Sequence, residues 1–109
     1  MEEEEQVEPG ALTLDFLCHV NKFPAGVSYI TPGAEQAIAD SGEQVLPYLC
    51  AHVAGNWGYV SEADGKHNDE AVKTGGRIHS VYRTKKDKTI WVITEADRSA
   101  TTILLPEEY

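Results

Sequence analysis

The C-terminal third of the chain limits the fold most strongly. Runs over residues 77–84, 89–94 and 100–105 are rich in β-branched and aromatic residues, and two short polar segments separate them. Runs of this length, bounded by Lys85-Lys86-Asp87-Lys88 and by residues 95–99, predict three strands joined as a meander. Ile90, Trp91, Val92 and Ile93 are apolar in succession. A half-wet strand alternates, so this unbroken run predicts a middle strand covered on both faces, as at the centre of a sheet packed by helices. Upstream, Leu12, Leu14, Phe16, Cys18 and Val20 alternate with Thr13, Asp15 and His19, which predicts a further strand over 12–20. Residues 27–30 read either as a short strand or as an apolar connection.

Between these β segments the signals are helical. Thr31-Pro32 places a capping hydroxyl before a proline whose missing N–H costs nothing at the first helical position, so a helix over 32–40 is expected, ended by Ser41-Gly42. Val45, Leu46, Leu49, Cys50 and Val53 form the apolar stripe of a second helix over 43–54, with Pro47 confined to its first turn and Gly55 ending it. Ser61 and Asp64 approximate a capping box for a third helix that runs to Thr74-Gly75-Gly76. A chain of 109 residues supports one core. The expected fold class is α+β: about three helices packed on one side of a mostly antiparallel sheet of about four strands. Residues 11–109 form a single domain behind a disordered acidic lead-in over 1–10.

Charge narrows the functional classes. The net charge is −9, and it is uneven: residues 1–65 hold eleven acids against one base, Lys22, whereas residues 66–98 hold eight bases against five acids. Such a chain repels polyphosphate at long range, so bulk nucleic acid and anionic membranes are disfavoured and a protein partner is the expectation. The uncharged run from Phe23 to Ala34 carries two prolines and two glycines, and no stretch resembles a membrane span. The glutamate-rich start lacks the positive region of a secretion signal, which points to a cytoplasmic location. Cys18 and Cys50 lie far apart with no Cys-x-x-Cys pair, and read as buried thiols rather than a zinc ribbon or a disulfide scaffold.

The familiar chemical fingerprints for dinucleotides, nucleotide phosphates, zinc hydrolysis, serine hydrolysis and calcium do not occur in the sequence. Four histidines, His19, His52, His67 and His79, match no metal spacing on a single element, so neither a metal nor a cofactor is expected. His52 falls near the end of the second helix, before the loop Gly55-Asn56-Trp57-Gly58-Tyr59. It reads either as a helix-end histidine capping carbonyls, with Trp57 plugging the core, or as a proton-transfer residue facing the sheet. Asn56 could take a left-handed conformation there. The densest polar cluster spans residues 94–102. Arg98 offers a fork of donors for a carboxylate or phosphate, and Thr101 and Thr102 point to opposite faces of a strand, so one of them is interior. The plainer reading is a turn in which Asp97 caps amides and Arg98 pairs with Glu95 or Asp97. Arg77, His79, Val81 and Arg83 share one strand face, either solvated or facing a ligand. Trp57, Tyr59, Tyr82 and Trp91 could line a small-ligand pocket.

Two stretches carry a resemblance. His52-Val-Ala-Gly-Asn-Trp-Gly58 with Ser61-x-x-Asp64, and the tail Ile90-Trp-Val-Ile-Thr-Glu-Ala-Asp-Arg-Ser-Ala-Thr-Thr-Ile-Leu-Leu-Pro-Glu-Glu-Tyr109, are similar to a family of small "plasmid-related" proteins found on plasmids, integrons and other mobile elements. The likeness covers roughly residues 32–109, and family members carry acids where Asn56 and Tyr59 stand. It implies genomic context rather than chemistry. The order of a histidine-bearing helix, a second helix and a Thr-rich meander also resembles the metal-independent ribonucleases and toxins of the barnase, EndoU, colicin and RelE-like group. That likeness implies His52 as the base for a 2′-OH, His79 or Arg98 as the phosphate stabiliser, and Thr101 or Thr102 as the orienting hydroxyl. The leading expectation is a mobile-element accessory protein that binds a protein partner through an acidic surface. The ribonuclease and the small-ligand pocket are alternatives, and an unpaired strand edge could join two copies into a homodimer.

Overall fold

Capping chemistry sets the helix boundaries in the computed structural model, which describes residues 18–109. The hydroxyl of Thr31 accepts from the Ala34 amide and starts α1 (Pro32–Asp40) where expected. Helix α2 (Leu46–Val53) begins later than the expected residue 43, because Glu43 serves the loop instead. Its carboxylate accepts from the Ser41 hydroxyl at 2.5 Å and from the Lys85 amide at 3.0 Å, pinning the start of α2 to a distant turn. Ser61 accepts from the Asp64 amide at 3.0 Å at the start of α3 (Glu62–Thr74), and Gly75 ends that helix in the left-handed region.

The sheet holds β1 (Val27–Ile30), β2 (Ile78–Arg83), β3 (Thr89–Thr94) and β4 (Ala100–Leu104) in the order β1-β4-β3-β2. The last three strands form the expected antiparallel meander, and β1 joins it parallel to β4. The strand expected over 12–20 is corrected in part: residues up to 17 lie outside the described residues, as does the acidic lead-in, and residues 18–20 are not extended into the sheet. Two tethers hold that segment against α2. Cys18 is bonded to Cys50 of α2, and the Lys22 amide donates to the Val53 carbonyl at 2.7 Å. The place in the sheet goes to β1, which Gly26 admits: its φ is +68°, and a Cβ there would collide with the backbone of Arg98 and Ser99.

Helices α1 and α2 cover one face of the sheet. Ala34, Ala37, Ile38, Tyr48 and Leu49 pack with Tyr82, Ile90, Val92 and Ile103 in one apolar cluster. A second cluster gathers Cys18, Phe23, Val53, Trp57, Ala71 and Ile78. Helix α3 meets that face through Ala71, which clusters with Ile78, and runs beside the β2 edge, where Asn68 meets the backbone of His79. No helix among the described residues is long and apolar enough to cross a membrane.

The reading of Cys18 and Cys50 as thiols is corrected by their disulfide, whose Cα atoms stand 5.3 Å apart. It closes a loop across a sequence separation of 32, which in the chain-entropy account stabilises the fold by about 3–4 kcal/mol. The expected outcome is that denatured, unreduced protein shows no reactive thiol at either cysteine and two after reduction. Reduction should also lower the unfolding midpoint. Two reactive thiols before reduction would contradict the bond.

Candidate functional site

The alternation of β2 places Ile78, Ser80 and Tyr82 on the covered face, and Ser80 sits between the residues that feed the two apolar clusters. A buried hydroxyl there needs a partner. It finds His52 of α2: Ser80 Oγ lies 2.6 Å from Nδ1, and Thr94 Oγ1 lies 2.9 Å from Nε2. Thr94 is directly opposite Thr101 in the β3–β4 register, and their hydroxyls are 2.6 Å apart. Thr101 in turn meets the Ala25 carbonyl at 2.7 Å. His52, Ser80, Thr94 and Thr101 are all fully buried.

The carbonyl at the end orients the whole series. Ala25 O can only accept, so Thr101 donates to it and accepts from Thr94; Thr94 therefore accepts from His52 Nε2–H, and Nδ1 accepts from Ser80. The imidazole is neutral, with its proton on Nε2. Burial holds it so, pushing its pKa down to about 3, with the positive potentials of His79 and Arg98 adding to the effect. A base so weak and so enclosed has no access to a substrate proton. His52 neither caps carbonyls nor faces solvent; it joins α2 to three strands.

Arg98 serves a different structure. Its guanidinium donates to Gly76 O at 2.6 Å and to Ala71 O at 2.7 Å, closing the C-terminal end of α3, and it lies over the Phe23 ring. The expected pairing with Glu95 or Asp97 is corrected: Glu95 lies 3.8 Å from Arg77 instead, while Asp97 accepts from the Ser99 amide. Phe23 stands against both the His52 ring and the Arg98 guanidinium, so no cleft is shared between them. Thr101 is the interior threonine and Thr102 lies on the opposite face. His79 is also on that opposite face, edge-on to Trp91 with centroids 4.6 Å apart. Burial and the neighbouring Arg77 lower its pKa. The five residues of the ribonuclease constellation are thus distributed over three separate environments. Among the described residues, no group of three His, Cys, Asp or Glu could hold a metal ion.

The four candidate pocket aromatics also divide. Trp57 is buried in the second cluster and donates to Asp69 at 3.0 Å. Trp91 borders a hollow of about 370 Å³ beside α3, together with His67, Arg77 and His79. Tyr59 and Tyr82 share a larger one of about 560 Å³ with Tyr48, Pro47 and Ala51. Tyr48, which sequence reasoning missed, is only 8% exposed, and its pKa is raised to about 12 by burial and the nearby Glu43 carboxylate. Asn56 is not left-handed; Gly55 and Gly58 on either side take that conformation.

The two edges of the sheet differ. On β2 the outward groups are occupied: Asn68 receives and donates at His79 like a strand neighbour, Val81 N donates to Trp57 O, and Tyr59 N donates to Val81 O. On β1 the amides of Val27 and of the following Thr31 donate toward β4, so Ser28 and Ile30 direct theirs away from the sheet. Among the described residues nothing pairs with that side. Val27 and Tyr29 are 57% and 56% exposed.

The His52 relay has a pH signature. An unfolded imidazole binds a proton below about 6.5 while the folded one does so only near 3, so stability is full above about pH 6.5 and is lost as pH falls toward 3. Within that window this one group removes about 1.4 kcal/mol per pH unit. His52→Gln should be less stable at pH 7 by about 1–3 kcal/mol and lack this acid component, so the gap between the two proteins narrows at pH 5 in urea titrations. A gap of constant size would contradict the buried neutral ring.

Comparison of the chain with protein-family models, with curated proteins and with solved structures returns no match.

Proposed function

We propose that this chain is a non-catalytic protein-binding module that adds an extended partner segment to the β1 edge. The observation that carries the reading is the contrast between the edges: every outward group at His79 and Val81 of β2 is occupied from within the chain, whereas Ser28 and Ile30 of β1 present theirs outward. Long or open edges are ordinarily protected by charge, proline or a covering element, and β1 carries neither a charge nor a proline. Backbone pairing would give the affinity, and Val27 and Tyr29 the side-chain contact.

Charge favours a basic partner. Carboxylates stand at both ends of this uncharged strand: Glu108 accepts from the Thr31 hydroxyl, and Asp97 accepts from Ser99, whose carbonyl receives the Val27 amide. The net charge of −9 adds long-range attraction for a cation. The occupant is therefore an extended segment, apolar in its middle and basic at its ends. The resemblance over residues 32–109 suggests that such a partner is met by an accessory protein of a mobile element. A cytoplasmic setting would hold Cys18 and Cys50 as a reduced pair, while an oxidising compartment would preserve their bond. The ribonuclease alternative has less to support it, since its base is the buried His52; a mixed RNA pool incubated with the protein is expected to remain intact.

Ser28→Pro provides the test, because it removes one outward amide while the bonds between β1 and β4 stay in place. The probe is a seven-residue peptide of alternating valine and threonine with a lysine at each end. Saturable binding that weakens with salt and drops at least about tenfold in Ser28→Pro is expected, one charge-free backbone pair being worth about that much. Equal binding by the variant, or by a peptide ended in glutamates, would refute the proposal. So would a concentration-dependent dimer that Ser28→Pro abolishes, which would assign the edge to a second copy.

A further inference from the structure

We infer that the hollow between α2, β2 and the loop over 56–59 binds a planar aromatic ring carrying an anionic group. Its volume of about 560 Å³ falls within the range of roughly 300–1,000 Å³ typical of small-molecule sites. The walls are made for a flat apolar body. Pro47, Tyr48 and Ala51 come from α2, and Tyr82 comes from β2. The Tyr82 hydroxyl is committed to Asn56 O at 2.5 Å, so that residue offers its ring rather than its polar end. The Tyr48 and Tyr82 rings meet at 63° with centroids 5.6 Å apart, leaving an aromatic corner against which a third ring can settle edge-on or offset.

The sign of the ligand charge follows from which bordering groups are already engaged. Three charged side chains border the hollow: Glu43, Arg83 and Lys85. Glu43 is spoken for, its carboxylate accepting from the Ser41 hydroxyl and the Lys85 amide, and those bonds hold its pKa below the usual range. Arg83 is committed only loosely. Its guanidinium lies over the exposed Tyr59 ring at 4.7 Å, and its ion pair with Asp87 is a solvent-exposed contact of 3.6 Å. Contacts of that kind are screened and weak, so the forked donors remain available for a carboxylate or phosphate. Lys85 adds a second positive charge on the same rim. Tyr59 is 65% exposed, and a ligand ring between it and Tyr82 would cover both. Gly58 keeps the loop in shape: its φ is +77°, and a Cβ would strike the Val81 carbonyl.

This site lies at the β2 side of the sheet, at the far side from β1, and does not depend on the partner reading. Its test uses one ring with three charges, namely naphthylacetate, naphthylmethanol and naphthylmethylamine, titrated calorimetrically into the disulfide-bonded chain. Naphthylacetate should bind saturably and about tenfold tighter than the alcohol, with the amine weakest. Arg83→Gln should weaken the acetate about tenfold while leaving the alcohol unchanged, and Ala51→Leu should weaken both by filling the hollow. Absence of saturable binding would overturn the inference, as would an amine that binds as tightly as the acetate or an acetate indifferent to Arg83→Gln. Because the arginine variant changes only a rim side chain, its result stands even where the leucine variant fails to fold.

Discussion

The imidazole of His52 lies between two apolar clusters with no water-facing side, so each ring nitrogen must be satisfied by the protein or left at a cost of about 1–3 kcal/mol. Satisfying both requires a hydroxyl on β2 and another on β3. The second of these is itself enclosed and must pass the requirement to β4, where the Ala25 carbonyl ends it. One helix and three strands are therefore held in a single relative placement, because a shift of any strand by one residue would replace a hydroxyl with a side chain from the other face. Apolar contacts alone tolerate sliding; a directional series ending on an acceptor does not. The same enclosure that makes the series specific removes His52 from chemistry, since a general base needs both reach and a pKa near the working pH.

Arg98 extends this logic to α3. The helix ends at Gly75, whose amide donates to Ala71 O; from the β3–β4 turn the guanidinium adds a further donor to that carbonyl and one to Gly76 O just beyond the helix. The backbone of Arg98 is itself left-handed, with φ at 62°, an uncommon state for a non-glycine residue. The strained turn, the helix end and Phe23 thus form one unit, and the guanidinium's donors serve backbone carbonyls within it.

What could be read from the sequence was local. Thr31 and Ser61 announce their helices through capping hydroxyls, and β3 is found between the residues expected because an apolar run between turns has few alternatives. Long-range choices were not legible. Nothing in Val27-Ser-Tyr-Ile30 distinguishes an edge strand from a connection, since its partner β4 lies about seventy residues later. Cys18 and Cys50 could be neighbours only once the fold was known. The polar residues did carry one usable signal. Ser80, Thr94 and Thr101 each fall on an otherwise apolar strand face, and hydroxyls so placed must meet one another or a common partner. That rule calls for a buried polar partner, and the structure supplies His52 in that place.

The asymmetry of the sheet follows from where helices remain available. Helices α1 and α2 are consumed by the covered face, and α3 packs Ala71 beside Ile78 at the β2 edge, where one asparagine and the loop over 57–59 imitate a neighbouring strand. That loop has two duties at once, since Tyr59 and Gly58 both pair with or approach Val81 and border the hollow beside Tyr82. Among the described residues no comparable element reaches β1. On the proposed reading, a short, charge-free strand would be a poor template for indiscriminate aggregation but would accept a segment of matching length, and the carboxylates at its two ends would favour basic residues at both ends of that segment.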